Sequence, residues 1–344
     1  MKSINPTFYI LIFVLAVFGC KDNKSNDSIQ EDEVITSNSN KVNDLAAWAD
    51  APKERIMNWV EKVTDSTNSD FIPETDRIAV FDNDGTLWPE QPAPTQLLYV
   101  LDFLKKEYQN QPEWKNDPVI SAAVNGDYGP LKEKGAAGIL DMVNKSYDSM
   151  SEEDYKESVR EWMDTTKIEK FDMTYKEAVY LPMLQLLEYL RAHDFKTFIV
   201  SGGGADFMRV WTEEVYGIPP NQVIGSYGEV AFDNTDGKAT VYKKEGDFFF
   251  DDKSAKPEAI HRFIGKKPVL VGGNSDGDQA MMEYASNAEY PTLCIILHHT
   301  DAEREYAYDT KTLSGHLETA LEMAKEKNWL VVDMKEDFKQ IFPD

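Results

Sequence analysis

Cysteine is nearly missing from this 344-residue chain, which holds only Cys20 and Cys294. Two thiols allow at most one disulfide, so the fold must rest on a packed core. Positive charge is also scarce: 36 Lys and Arg face 61 Asp and Glu, a formal net charge of -25. That balance excludes a nucleic-acid or anionic-membrane binding surface, since both need clustered Lys and Arg. It does not exclude a small phosphorylated ligand, because one local Lys and a metal ion can reverse the sign of a pocket. No internal repeat is visible. The length suits one large domain with an insertion as well as two domains.

Long apolar runs are missing too. The stretch from Phe8 to Phe18 follows Met1-Lys2 and runs for about a dozen residues, the length of a signal-peptide core rather than of a spanning helix. It ends in Val17-Phe18-Gly19-Cys20, which resembles the bacterial lipobox, where a Cys after a small residue is acylated and becomes the new N-terminus. Residues 1–20 are therefore expected to be a lipoprotein signal peptide with Cys20 as the lipidation site. Residues 21–43 are mostly Lys, Asp, Asn, Ser and Glu, too polar to offset their ordering entropy, and read as a flexible tether. The expected location is the bacterial cell envelope, extracytoplasmic and bound to the membrane through the lipid alone. Asp22, two positions after Cys20, leaves the final membrane open. Cys294 lies in Leu293-Cys294-Ile295-Ile296-Leu297, an apolar strand pattern, and reads as a small core residue.

Hydrophobic spacing lays out the rest. Leu45, Trp48, Ile56, Trp59, Val60 and Val63 predict a helix ahead of a buried strand carrying Ile78, Val80 and Phe81. Residues 96–109 and the stretch opened by the capping box Ser151-Glu152-Glu153-Asp154 are helical in pattern. No convincing strand falls between Trp88 and Tyr180, an interval too long for an ordinary connection. Helix and strand then alternate, with strands at Ile199, Val269 and Ile295 and a hairpin signal at Asn234-Thr235-Asp236-Gly237. The fold class expected is α/β, a doubly wound parallel sheet. Residues 44–88 and 181–344 form its core, and 89–180 form an inserted helical cap.

Three strands end in polar loops. Asp82-Asn83-Asp84-Gly85 sets two carboxylates two positions apart at a strand end, where open α/β sheets bind ligands and where paired carboxylates share a cation or pass a proton. The rival readings are an Asp-Gly turn and a calcium loop, the latter lacking its closing Glu. Ser201-Gly202-Gly203-Gly204 offers a hydroxyl and unobstructed backbone N–H groups to phosphate oxygens, or is only a tight turn. Lys256 can neutralise a phosphoryl charge or be a solvated surface residue. Asn274, Asp276 and Asp278 present oxygens at alternate positions after another buried strand, donors of the kind Mg²⁺ prefers. His298-His299 follow a late strand, and at most one of them should reach the sheet edge.

Taken in order, Asp82-Asn83-Asp84-Gly85-Thr86, Ser201-Gly202-Gly203, Lys256-Pro257 and Gly273-Asn274-Ser275-Asp276-Gly277-Asp278 resemble the four motifs of the haloacid-dehalogenase superfamily of phosphohydrolases. The helical insertion and Val200-Ser201-Gly202-Gly203 look most like its phosphoserine-phosphatase branch. The resemblance implies a Rossmann-like core and a Mg²⁺-dependent hydrolase that cleaves small phosphomonoesters through an aspartyl-phosphate. It makes Asp82 the nucleophile, Asp84 the acid and base, Lys256 the residue joining Asp82 to the phosphoryl group, and Ser201 with Gly202 the phosphate clamp. It places Mg²⁺ on Asp82, the Asp84 backbone carbonyl, Asn274 and Asp278, and Glu90 where a substrate amine would be met, one residue out of step. Asn274 departs from the usual metal-binding Asp, and Gly277 from a polar phosphate contact; both weigh against phosphoserine as substrate. Alternatives are a phosphotransferase or mutase using the same Asp82, or a catalytically silent envelope lipoprotein that only binds.

Overall fold

The structure, a computed structural model, describes residues 44–235, 237–312 and 314–344. The expected signal peptide, tether and Cys20 lie outside the described residues.

Strand β1, Ile78–Phe81, is buried along its whole length. Its side chains alternate between two apolar layers, Ala79 and Phe81 entering one and Ile78 and Val80 the other. A strand covered on both faces has to read as a continuous apolar run, which is why this segment shows no polar alternation. The remaining strands are β2 (Lys167–Ile168), β3 (Met173–Thr174), β4 (Lys196–Gly204), β5 (Val223–Asp233), β6 (Thr240–Phe249), β7 (Leu270–Gly273), β8 (Leu293–His298) and β9 (Leu330–Asp333). Seven of them form one sheet in the order β6-β5-β4-β1-β7-β8-β9. All neighbours in it are parallel except β6, which returns antiparallel beside β5 as the second arm of the hairpin. The doubly wound α/β reading holds. Because β1 sits between β4 and β7, the loops after these three strands open at one sheet edge, where the direction of strand addition reverses.

Between β1 and β4 the chain is mainly helical, with helices Thr95–Glu107, Pro118–Val124, Gly129–Tyr147 and Glu152–Thr165. The short antiparallel pair β2 and β3, two residues each, is a departure from the strandless interval expected. Helix Glu152–Thr165 starts at the expected cap, with Ser151 Oγ accepting the Asp154 N–H at 3.1 Å and three acidic residues in the first turn. Gly135, at φ 59°, breaks the long helix Gly129–Tyr147 where a side chain would be strained.

The insertion shares its core with the sheet. Tyr99 packs on Phe207 with ring centroids 5.4 Å apart, and Trp162 stacks on Tyr175 at 4.7 Å, all within the apolar layer that also holds Phe81. Cys294 is buried in the opposite layer, and burial pushes its thiol up to about 12, as suits a packing residue. No helix among the described residues is long and apolar enough to cross a membrane.

Candidate active site

The turn after β1 is built to present Asp84. Leu87 N–H donates to the Asn83 carbonyl at 2.8 Å and Gly85 N–H to the Trp88 carbonyl at 2.9 Å, which folds Trp88 back over the loop. The Trp88 indole then donates to Asp84 Oδ1 at 2.8 Å, fixing the carboxylate. Gly85 has φ 75°, and a β-carbon there would collide with Asn274 and Glu90, so only glycine fits.

Lys256 joins the three strand ends. It is 2 % exposed, and its Nζ donates to Asp82 Oδ1 at 2.8 Å, Asp278 Oδ1 at 2.6 Å and the Val200 carbonyl at 3.1 Å. Burial works against its charge, but the Asp278 and Asp82 carboxylates outweigh that and hold its pKa above the ordinary lysine value. Ser201, buried beside it, accepts the Gly203 N–H at 3.1 Å, which leaves its hydroxyl proton available to a ligand. Ser226 Oγ donates to the Gly202 carbonyl at 2.7 Å, and Gln96 Oε1 accepts the Gly204 N–H at 2.6 Å, so the glycine run is held from both sides. Asp82, Asp84, Glu90, Ser201, Gly202, Lys256 and Asn274 all line one cavity of about 500 Å³.

Its acidic groups resist ionisation. Burial pushes Asp82 up to about 7 against the pull of Lys256, Asp84 to about 6 against the Trp88 hydrogen bond, and Glu90 to about 8 against the Tyr308 hydroxyl. A single ammonium thus faces several buried carboxyls, an electrostatic setting that a hard divalent cation would relieve. The Asp82 carboxylate, the Asp84 backbone carbonyl and the Asn274 amide oxygen supply oxygen donors of the kind Mg²⁺ takes, so the residues fit the ion. Among the described residues, no group of three or more His, Cys, Asp or Glu side chains is gathered at metal-binding spacing, so a site here must use the backbone and the amide as well.

One expected ligand is corrected. Asp278 is wholly buried, with Oδ1 on Lys256 and Oδ2 accepting the Asn274 N–H at 2.9 Å, the Ser275 N–H at 3.0 Å and the Ser275 hydroxyl at 3.1 Å. Both oxygens are engaged, so Asp278 shapes the loop and anchors Lys256 instead of facing a cation. Asp276 turns away as well, accepting the Glu318 and Ala320 N–H groups at 3.0 and 2.9 Å at the start of helix Thr319–Lys327. Asn274 faces inward, its Oδ1 accepting from Thr86 Oγ1 at 3.2 Å and its Nδ2 donating to Glu90 Oε1 at 2.6 Å.

Glu90 is buried beside the loop, held also by the Tyr308 hydroxyl at 2.9 Å. Sequence reasoning missed Tyr308, Trp88 and Glu305 as parts of this site. Trp88, two residues beyond the Gly85-Thr86 turn, was the one with a local signal. Of the histidine pair, His299 is the buried member, with His298 left half-buried at the end of β8.

Residues 79–283 match the model of a family described as haloacid dehalogenase-like hydrolase. No curated protein matches the chain. Among solved structures, a conserved, functionally unknown protein from Anaerococcus prevotii is 14 % identical, with 87 % of this chain and 96 % of that one covered and a TM-score of 0.53. A Bordetella pertussis protein of unknown function is 14 % identical over 75 % of this chain and 99 % of that one, TM-score 0.45. A phosphoserine phosphohydrolase-like protein from Francisella tularensis is 17 % identical over 64 % and 87 %, TM-score 0.36. The first of these likenesses is one of fold.

Proposed function

The chain belongs to the haloacid dehalogenase-like hydrolases, and from that premise we propose that it is a Mg²⁺-dependent phosphatase of small phosphomonoesters that works through an aspartyl-phosphate on Asp82. The observation that carries this reading is the Lys256 ammonium bridging Asp82 and Asp278 on the wall of the cavity, beside the Ser201 hydroxyl. Phosphoryl transfer needs in-line positioning and neutralisation of negative charge more than covalent help, and these groups offer both.

Asp82 attacks phosphorus, an oxygen–phosphorus bond forms to its carboxylate, and the bond to the alcohol oxygen breaks. Asp84, pushed up to about 6 by burial, still holds a proton in part of the population near neutrality and gives it to the departing oxygen. Water then attacks the acyl phosphate while Asp84 takes its proton, returning Asp82 and releasing inorganic phosphate. Ser201 and Gly202 orient the phosphoryl oxygens and Lys256 offsets their charge. Asp82, the Asp84 carbonyl and Asn274 would hold Mg²⁺, which when bound supplies further positive charge at the phosphoryl group.

Incubating the full chain with an aryl phosphate and Mg²⁺ should release phosphate and yield a base-labile phosphoryl group on Asp82. Asp82→Asn should show neither. Turnover by that variant would remove the mechanism. On its sequence we also place the protein in the cell envelope, tethered through lipid on Cys20. Intact-mass analysis of the wild type should show the lipid, and Cys20→Ser should lose it along with detergent partitioning.

A further inference from the structure

A phosphoryl group fills little of a cavity of about 500 Å³, a volume typical of sites for drug-sized ligands. Much of the remaining wall is apolar and comes from three separate elements. Leu97 projects from helix Thr95–Glu107; Ile139, Leu140 and Val143 from helix Gly129–Tyr147; and Phe248 and Phe250 from the end of β6 and just beyond it. The wall begins at the phosphate clamp, since a β-carbon on Gly202 would lie 3.7 Å from the Phe250 ring. Phe250 is 36 % exposed, and Ile139, Leu140 and Phe248 are half-buried, so apolar side chains converge on the cavity without covering one another.

Charge narrows the occupant further. The basic side chains on the wall are Lys253, Lys256 and His316, and Lys256 is committed to Asp82 and Asp278. Against them stand Asp82, Asp84, Glu90 and Asp252, with Asp276 at the rim turned to the Glu318 and Ala320 N–H groups. An alcohol carrying a carboxylate or a second phosphate would meet like charge, and a sugar laid against Leu97, Leu140, Phe248 and Phe250 would bury hydroxyls on side chains that cannot pair with them, the hydrogen-bonding Gln96, Ser226, Ser275 and Ser314 being other parts of the wall. Resting on the phosphatase reading above, we infer that the preferred substrates are phosphomonoesters of bulky apolar alcohols, aryl or long-chain alkyl, with the leaving group seated against Leu140, Phe248 and Phe250.

The test is a set of initial rates for the full chain with Mg²⁺ on n-alkyl phosphates from methyl to octyl, on phenyl and 1-naphthyl phosphate, and on phosphoserine, glucose 6-phosphate and phosphoethanolamine. The longer alkyl alcohols share nearly one leaving-group acidity, so a rise along that series reports burial and not chemistry. We expect kcat/KM to climb by about fourfold per methylene until the wall is covered, chiefly through KM. Phe250→Ala and Leu140→Asn should each flatten that slope, and 1-naphthyl phosphate should outrun phenyl phosphate. A flat alkyl series, or a charged or sugar ester turned over better than octyl phosphate, overturns the apolar subsite while leaving the phosphatase standing. Turnover of none of these esters overturns the phosphatase reading, and the subsite with it.

Discussion

The Nε2 of His299 lies 2.7 Å from the carbonyl oxygen of Gly85, the residue after Asp84. A carbonyl can only accept, so the ring donates there. Its Nδ1 lies 3.1 Å from Glu305, a wholly buried carboxylate that also receives the Tyr180 hydroxyl at 3.1 Å. Tyr308 stacks on the same ring at 4.3 Å and donates to Glu90. The loop after β8 thereby grips the Asp84 turn from behind.

His299 therefore acts as a positioning residue. His299→Leu removes the donor and lets the Gly85 peptide turn; a displacement of about 1 Å at Asp84 is enough to lower turnover by roughly 100-fold. The loss should fall on kcat with KM little changed, and His299→Gln, whose amide can still donate, should recover part of it. Steady-state rates on one alkyl phosphate, whose leaving group needs the Asp84 proton, check this. Equal damage by both variants, or an effect confined to KM, counts against the role.

Asp84→Asn should separate good leaving groups from poor ones. An aryl oxide leaves without a proton, whereas an alkoxide needs one, so the variant should lose roughly 10²–10⁴-fold on alkyl phosphates and much less on aryl phosphates. The ratio of the two losses, measured side by side, is the readout. Matching losses would deny Asp84 the part of the acid.

Much of the site is legible in the sequence because its groups follow directly on buried apolar runs: Asp82 after Phe81, Ser201 after Val200 within β4, and Asn274 after the strand that ends at Gly273. Each strand signals itself by its apolar run, and parallel strands expose those ends on one edge. What is not legible depends on local turning or distant pairing. The chain bends after Gly273 so that the Asp278 carboxylate closes on the amides of Asn274 and Ser275, and alternate spacing cannot show that its oxygens are already engaged. Glu305 meets His299 across a loop without periodicity, and Phe250 follows a hairpin whose length past its turn no pattern fixes.

Asp251 offers a test by pH. Among the described residues, both of its carboxylate oxygens are buried with no hydrogen-bond partner, and burial pushes the group up to about 7 against the Lys256 charge. An acid whose folded pKa is raised holds its proton more firmly in the folded state. The stability linked to it is complete below the unfolded value of about 4 and is lost as pH rises through 7. Asp251→Asn cannot titrate, so its melting temperature should gain on the wild type between about pH 4 and 7 and run parallel above, by an amount equivalent to no more than ~4 kcal/mol. Asp82, Asp84 and Glu90 titrate in both proteins and cancel in the difference. A difference that does not vary with pH would mean that the Asp251 carboxyl finds a partner.

Asn274 decides how tightly a cation is held. Hard divalent ions favour charged oxygens, so replacing its amide by a carboxylate should strengthen the site. The structure adds an opposing effect: Asn274 Nδ2 now donates to Glu90 Oε1 at 2.6 Å, and in Asn274→Asp two carboxyls would face each other there. Glu90, pushed up to about 8 by burial, can keep a proton and donate it back, which preserves the contact. The single variant should then lower the Mg²⁺ concentration for half-maximal rate by a factor on the order of ten, if a charge-assisted contact contributes ~1–2 kcal/mol. Turnover should fall, since added negative charge opposes that of the phosphoryl group. In Asn274→Asp with Glu90→Gln the amide restores a fixed donor, and the gain in metal affinity should remain at every pH from 6 to 9. Metal titrations of the two variants and the wild type across that range decide the matter: an unchanged half-maximal Mg²⁺ in both would mean that Asn274 is not a ligand.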